Sequence, residues 1–310
     1  MNPKWLIGSV VILIALILTL IFSLADTNPL VSVVVNSKNS STSRYLSNSA
    51  RWKLWWPESQ VENNGGIFHF RGDEYKLVNT FRNGSNVIVN PDTHPIPTHI
   101  RAFYKSVDST LVQWTFSDME KEGLFGRIIN HYKRNRIQKE MTILLDSLKA
   151  FMNNPDKVYR FHIEQIPPID TLMITTKRDF SHNPTTIDVY NTINYLRLHL
   201  NKTRIKETGA PMMNVNADSG FYRLMVAIPI EKPFRNFGDI EVKRMVPSKF
   251  VCVDVVGGPK TLEIARQEAK LYMTDFEKVQ MAIPFESLIT DRLEIPDTAK
   301  WKTRIYYPSF

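Results

Sequence analysis

The carboxy-terminal half of the chain repeats itself. Pro168 and Pro247, each shortly before an apolar run, lie 79 residues apart, and so do Pro229 and Pro308, each of which closes a strand-like segment. A helical pattern lies between the strands of each copy. Two copies are too few for a solenoid, which needs about three or more repeats. The repetition therefore predicts one pseudo-symmetric domain over residues 157–310, with a ligand groove where the copies meet.

Each copy is predicted to contain strand, strand, helix, strand and strand in that order. The predicted strands are 158–166, 171–176, 211–215 and 221–230 in the first copy, and 240–246, 249–256, 279–288 and 301–308 in the second. The first helix is indicated by an apolar stripe at Val189, Ile193, Leu196 and Leu200. The second helix is predicted from Thr261 to Met273, with Thr261 as a candidate cap.

An apolar segment near the amino terminus predicts a membrane anchor. Residues 5–25 carry no charged side chain, and about twenty such residues span a bilayer core as a helix. We predict an anchor over residues 1–26, with a signal peptide ending at Ala25 as the alternative. The segment is longer than the roughly 7–15 residues usual for a signal peptide core, which favours the anchor.

The orientation of the anchor follows from the charges that flank it. Lys4 favours an amino terminus in the cytoplasm. The protein would then cross the cell membrane once, and its soluble domains would lie outside the cytoplasm. Lys38 and Arg44, on the far side, favour the opposite orientation, because positive charge near a membrane helix tends to stay inside.

The region between anchor and repeat, residues 31–154, predicts a separate α+β domain. Strands are predicted at 31–35, 67–70, 75–81, 86–90, 100–104 and 110–116, with short helical segments over 39–49. A long final helix is predicted over 127–152, since Ile137, Met141, Leu144 and Leu148 recur at helical spacing.

This domain resembles the polyketide-cyclase/START-like (SRPBCC) family. The resemblance is carried by Trp52, Trp55, Trp56 and Pro57 after the first helical segment, and by the final helix. It implies a helix-grip fold with a cavity between a curved sheet and the last helix. The three tryptophans either line that cavity or pack in the core.

The repeated domain resembles the GyrI-like effector-binding (AraC-type effector-binding) domain. The matching residues are Val256-Gly257-Gly258-Pro259 before the second helix, Pro284-Phe285-Glu286, and the final strand over 301–308. The resemblance implies an α+β fold with a duplicated ββαββ arrangement. It also implies a small-molecule cleft between the repeats for hydrophobic or cationic compounds.

Within that resemblance, Glu286 matches the acidic position that faces the ligand. A carboxylate in an apolar cleft is unfavourable without a partner, and a cationic ligand stacked on aromatic rings would supply one. Tyr190, Tyr222, Trp301 and Tyr306 are the aromatic candidates. The alternatives are a surface position or a Lys or Arg partner for Glu286, and core packing for each aromatic residue.

The sequence excludes several classes of function. The single cysteine, Cys252, rules out a disulfide framework and a Cys-rich metal site. No P-loop, dinucleotide fingerprint, Gly-x-Ser-x-Gly or His-Glu-x-x-His motif is present, so we expect no catalytic residue, no metal and no cofactor. The net charge of +8 favours anionic surfaces, but no DNA- or RNA-binding motif accompanies it, so nucleic acid is not an expected partner.

These observations support three hypotheses of different classes. The leading one is a membrane-anchored protein that binds or senses a small hydrophobic or cationic molecule without catalysis. The second is a GyrI-like hydrolase of a small electrophilic compound, with Glu286 and a tyrosine of the cleft as acid and base. The third is a structural protein that binds a protein partner.

Overall fold

The computed structural model describes residues 30–57, 66–90, 92–93, 95–117, 124–218, 220–245 and 247–309. The predicted anchor, residues 1–26, lies outside the described residues. Within the described ranges, no helix combines the length and apolar character needed to cross a bilayer. The chain divides into two compact units, Met1–Asn154 and Pro155–Phe310.

The first unit is an antiparallel sheet with short helices after its first strand and a long helix at its end. The strands are β1 Leu30–Val35, β2 Ile67–Phe70, β3 Asp73–Phe81, β4 Gly84–Val89, β5 Ile96–Ser106 and β6 Ser109–Phe116, in the spatial order β1-β6-β5-β4-β3-β2. The helices are α1 Asn39–Leu46, α2 Ser49–Trp52 and α3 Leu124–Met152. This is the element order predicted for a helix-grip arrangement.

The three tryptophans of the first unit are part of its core. Trp52, Trp55 and Trp56 are 0%, 2% and 6% exposed. The Trp52 ring centroid lies 4.9 Å from that of Trp55 and 5.8 Å from that of Trp56, and Phe68 and Trp114 pack against the same ring. Of the two interpretations of these residues, the structure shows core packing.

The second unit contains the predicted ββαββ pattern twice. Its first copy comprises β7 His162–Ile166, β8 Leu172–Phe180, α5 Thr186–Thr203, β9 Met212–Asp218 and β10 Phe221–Pro229, after a short helix α4 Pro155–Val158. Its second copy comprises β11 Glu241–Arg244, β12 Lys249–Val256, α6 Pro259–Asp275, β13 Phe285–Leu288 and β14 Lys302–Ser309. The predicted α+β class with antiparallel sheets is confirmed.

The two copies share one sheet and exchange their first strands. The spatial order is β11-β8-β10-β9-β13-β14-β12-β7, which maps onto itself when the copies are interchanged and the order is reversed. The first strand of each copy therefore pairs with the second strand of the other copy. At the centre β9 pairs with β13, where Met213 lies opposite Glu286. We call this pair of strands the junction.

Several predicted boundaries differ from the structure, and three of them have a local cause. Helix α6 begins at Pro259 with Gly258 as its N-cap, so Thr261 is not the cap. Strand β13 covers only Phe285–Leu288 because Pro284, which lacks an N–H group, precedes it. Strand β7 begins at His162, since Pro155 starts a helical turn before it and proline is well suited to the first helical position.

The two long helices of the second unit, α5 and α6, each bury one side against the sheet. The stripe Val189, Ile193, Leu196 and Leu200 of α5 packs with Leu224, Val226 and Ile228 of β10 in one core cluster. Helix α6 buries Leu262, Ala265, Ala269 and Met273 and lies against β12. At the junction, the face of the sheet between α5 and α6 forms the floor of a cleft.

Candidate functional site

A cleft of about 540 Å³ lies over the junction. Strands β9, β13 and β14 contribute residues to it, and so do α6 and the start of α5. Its apolar lining includes Val189, Met213, Leu262 and Ile305. Its aromatic and charged lining includes Tyr222, Arg266, Glu286, Arg292, Trp301 and Tyr307. Clefts of this size with apolar walls and a few polar groups are typical of small-molecule sites.

Glu286 lies at the centre of the sheet and is paired with an arginine. Its residue is 8% exposed, and its Oε1 accepts a hydrogen bond from Arg266 Nε at 3.1 Å. Arg266 Nη2 donates to the same oxygen. The carboxylate therefore has a protein partner. Of the alternatives that the sequence left open, the arginine partner is the one observed.

Arg266 of α6 also bonds a second carboxylate. Its Nη1 donates to Glu263 Oε2 at 3.0 Å, one turn earlier on the helix. Burial lowers the pKa of Arg266, but the charge of Glu286 and the hydrogen bonds to Glu286 and Glu263 outweigh burial and raise this pKa above its ordinary value. The arginine is therefore held as a cation against the floor of the cleft.

Arg292 is the second cation of the cleft, and its surroundings differ. Its Nη2 donates to Thr303 Oγ1 at 2.9 Å, and its guanidinium lies 4.7 Å from the ring centroid of Trp301. Its Nε is buried without a hydrogen-bond partner among the described residues. Burial lowers the pKa of Arg292 below its ordinary value. An arginine nevertheless stays protonated in proteins, so the cleft contains a cation that is incompletely hydrogen-bonded.

The start of α6 adds partial positive charge to the same cleft. Gly258 offers no side chain to cap the helix, and the first turn contains no acidic residue. The free N–H groups of a helix start carry about half a positive charge. The start of α5 differs, because Thr185 and Asp188 form a capping box there.

The structure brings together three of the five predicted site residues. Glu286, Tyr222 and Trp301 all line the cleft. Tyr190 is buried beneath the loop that follows β13, where its hydroxyl accepts a hydrogen bond from Arg292 N–H at 2.7 Å and donates to Thr290 O at 3.2 Å. Tyr190 therefore supports the Arg292 backbone and is not part of the described lining.

Tyr306 lies on the opposite face of the sheet from Glu286. Glu286 is paired with Ile305 across β13 and β14, while Tyr306 is paired with Phe285. The Tyr306 and Phe285 rings stack with centroids 4.8 Å apart. Because successive strand residues point to opposite faces, the neighbouring Tyr307 enters the cleft instead. Burial raises the pKa of Tyr307 to about 12.

A second, smaller hollow lies in the same unit. It measures about 260 Å³, and we call it the methionine hollow because Met173, Met212, Met225 and Met245 line it. Ala227 and Phe250 also contribute to its lining. Met173, Met225 and Ala227 belong to the face of β8 and β10 that points away from α5. Lys243 lies beside this hollow but is paired with Glu241.

Neither a metal-binding group nor a His, Cys or Ser side chain in the cleft is found among the described residues. They include no group of three or more His, Cys, Asp and Glu side chains arranged to hold a metal ion. The described lining of the cleft includes no His, Cys or Ser. Cys252 is buried outside that lining, and burial raises the pKa of its thiol to about 12. Only a thiolate is a strong nucleophile, so Cys252 is a core residue.

No protein-family model and no curated protein matches the chain. Solved structures match with low scores. An EcmrR–DNA complex has 16% identity and a TM-score of 0.42, covering 60% of this chain and 70% of its own. The structure of SAV2435 bound to tetraphenylphosphonium has 15% sequence identity and a TM-score of 0.30, and the match covers 48% of this chain and 93% of that one. A hydrolase from Listeria innocua has 12% sequence identity and a TM-score of 0.36, and the match covers 48% of this chain and 91% of that one. Similarity of this extent carries no functional inference.

Proposed function

We propose that the carboxy-terminal unit binds a small amphipathic molecule in the cleft over the junction and releases it unchanged. The observation that carries the proposal is a cleft of about 540 Å³ in which apolar and aromatic side chains surround two arginines and one glutamate. Apolar walls take up the body of a ligand, and a small number of fixed polar groups orient it. The methionine hollow is smaller and is lined mainly by apolar side chains.

The state of Glu286 favours binding over hydrolysis. A general base has to accept a proton from substrate or water, whereas Glu286 already accepts two hydrogen bonds from Arg266. The observation in favour of a hydrolase is that Tyr307 shares the cleft with this carboxylate. Incubation of phenylbutyrate methyl ester with an excess of the full chain separates the two functions. Binding predicts that the ester is recovered intact, and hydrolysis predicts phenylbutyrate and methanol.

The binding itself is tested with three probes that share a phenylbutyl body: phenylbutyrate, phenylbutanol and phenylbutylamine. Each is titrated calorimetrically into the full chain in one nonionic detergent, with the detergent heat subtracted. At least one probe should saturate a single site. If none of the three binds saturably, the proposed function is wrong.

Two alanines of the same sheet make a matched pair for locating the site. Ala217 of β9 lines the cleft, and Ala227 of β10 lines the methionine hollow. We expect Ala217→Trp to fill the cleft and abolish probe binding, while Ala227→Trp leaves it unchanged. The reverse result would move the site to the methionine hollow.

We also infer that the binding unit is held at a membrane. The support is the uncharged apolar segment over residues 5–25. The full chain should stay with the membrane fraction after alkaline carbonate washing, and deletion of residues 1–26 should release it. Protease treatment of intact cells, which degrades only domains outside the cytoplasm, tests the orientation favoured by Lys4. Release of the full chain by carbonate would contradict the anchor.

A further inference from the structure

We propose that the cleft selects an anion, namely an amphipathic carboxylate with an aromatic or aliphatic body, and disfavours the cationic ligand that the sequence suggested. This inference rests on the proposed binding function and names its ligand class. The carboxylate would bind the Arg292 guanidinium, and the apolar body would lie against Met213, Leu262 and Ile305.

The balance of charge in the cleft is the first support. Among its described lining residues, Arg266 and Arg292 are cations and Glu286 is the only carboxylate. Arg266 and Glu286 neutralise each other through direct hydrogen bonds. Arg266 also bonds Glu263, and the charge of Glu286 acts on Arg292 as well. Arg292 itself has no carboxylate within ion-pair distance in the described part of the chain, so its guanidinium has no direct ion-pair partner there.

The surroundings of Arg292 are the second support. Arg292 is partly buried, and withdrawing a cation from water is unfavourable unless it is paired and hydrogen-bonded. Arg292 donates to one hydroxyl, that of Thr303, while its Nε has no partner among the described residues. The planar guanidinium presents donors that match the two oxygens of a carboxylate. A bound carboxylate would supply the counter-charge that the described residues do not.

The geometry of the loop is the third support, because it holds Arg292 in place. The backbone N–H of Arg292 is fixed by the buried Tyr190 hydroxyl, and its guanidinium lies over the Trp301 ring. An arginine that is already oriented loses little freedom when a ligand binds. The uncapped start of α6 lies at the same cleft and also favours negative charge.

A cationic ligand would meet the opposite conditions. It would have to displace Arg266 from Glu286 to reach the only carboxylate of the described lining, and it would lie near Arg292. The buried pair would then lose its hydrogen bonds, and two like charges would face each other in a partly desolvated space. The same residues that favour an anion therefore discriminate against a cation.

The three phenylbutyl probes test this inference because they differ only in the charge of one end. We expect phenylbutyrate to bind the full chain at least about tenfold tighter than phenylbutanol, the ratio that one charge-assisted hydrogen bond supplies. Phenylbutylamine should bind more weakly than phenylbutanol. An amine that binds more tightly than the acid would overturn the inference.

Substitutions then assign the preference to Arg292. Arg292→Met keeps an unbranched apolar stem but removes the guanidinium, and it should weaken phenylbutyrate binding about tenfold, with little change for phenylbutanol. Arg223→Met is the matched control, because Arg223 is a partly exposed arginine of β10 that is paired with Asp179 outside the cleft. It should leave the affinities for all three probes unchanged. Equal losses for the acid and the alcohol in Arg292→Met would contradict a charge-specific role.

Glu286→Gln separates the anion and cation hypotheses directly. If the ligand is an anion, this substitution preserves or strengthens phenylbutyrate binding, because it removes the negative charge of the cleft. If the ligand is a cation, it abolishes phenylbutylamine binding. Failure of all three probes would refute the proposed function, whereas a preference for the amine would refute only the ligand class. Thermal unfolding of each variant shows whether it is folded.

Discussion

The pair formed by Arg266 and Glu286 is the main polar contact at the centre of the second unit. Two N–H groups of Arg266 donate to one carboxylate oxygen, and Glu286 is buried in the middle of an eight-stranded sheet. A buried pair of this kind contributes little net stability compared with apolar residues, but loss of one partner leaves a charge buried without compensation. The pair therefore fixes the shape of the cleft floor more than it stabilises the fold.

Removal of Arg266 alone should destabilise the protein. We expect Arg266→Met to lower the free energy of unfolding by about 2 kcal/mol, less than the full effect for a buried pair because Arg266 is partly exposed. Addition of Glu286→Leu should recover most of the loss, since no charge then remains unpaired. Urea unfolding of the two variants measures both values. The control Arg223→Met, which breaks an exposed pair, should change stability by less than about 1 kcal/mol.

Only some residues of the site could be predicted from the sequence. Glu286, Tyr222 and Trp301 could be placed in the cleft from the sequence. The prediction of Tyr306 as a site residue was wrong, because β14 alternates and Lys302 and Arg304 mark one of its faces. Period-two patterning assigns Tyr306 to that face and Tyr307 to the other.

The two arginines were missed because their positions resemble solvated ones. Arg266 follows the buried Ala265 and lies among Glu263, Gln267 and Lys270, a sequence typical of an exposed helix side. Arg292 lies in a loop with no periodic pattern. Only the folding of both segments over the junction brings these cations next to Glu286.

The start of α6 depends on a glycine that no other residue replaces well. Gly257 has φ +143, and a Cβ at this position would lie 2.6 Å from Thr261 Oγ1. Its N–H donates to Trp301 O at 2.8 Å. The glycine therefore joins β12 to α6 and positions the helix start beside Trp301.

Substitution of Gly257 should strain this connection. We expect Gly257→Ala to lower the free energy of unfolding by about 2 kcal/mol, because it combines an unfavourable φ with a collision. Gly220→Ala is the control, since Gly220 has φ +93 and no atom within 4 Å of the added Cβ. It should lower the free energy by only about 1 kcal/mol. Equal losses in thermal or urea unfolding would show that the collision with Thr261 contributes nothing.

Local sequence patterns predicted most helices and strands, but they did not predict that the two copies exchange their first strands. The apolar periodicity of β8, β12 and the two helices is strong, and these elements lie where the sequence indicated. The positions of β7 and β11 at opposite edges depend on pairing between residues that are distant in sequence. Leu172 pairs with Arg244 and Ile166 with Phe250, and neither pairing leaves a signal in a single sequence.

The two units have separate cores, and the first contains a buried acid that makes its stability depend on pH. Glu140 of α3 accepts a hydrogen bond from the Tyr75 hydroxyl at 2.8 Å, close to the Asp73–Arg136 pair. Burial, the largest cause, raises the pKa of Glu140 from 4.5 to about 7. The folded unit therefore holds a proton on Glu140 in a pH range in which the unfolded chain has released it.

The sign of the pH dependence follows from this pKa. Because the folded value is the higher one, the stabilising contribution is fully present below about pH 4.5 and is lost as the pH rises towards 7. Glu140→Gln should remove this dependence and stabilise the first unit by about 2 kcal/mol at pH 8 relative to the parent chain. Urea unfolding at about pH 5 and pH 8 measures the difference. The same loss of stability on raising the pH in both proteins would contradict the assignment to Glu140.

Independent cores also predict how the whole molecule unfolds. Since each unit has its own buried cluster, we expect two thermal transitions in the full chain. A ligand raises only the transition of the unit that binds it, so phenylbutyrate should shift one transition and Glu140→Gln at pH 8 the other. In the Ala217→Trp variant the shift by phenylbutyrate should disappear while the effect of Glu140→Gln remains. A single transition that responds to both changes would mean that the two units unfold as one cooperative body. The ligand would then stabilise the first unit as well as the second.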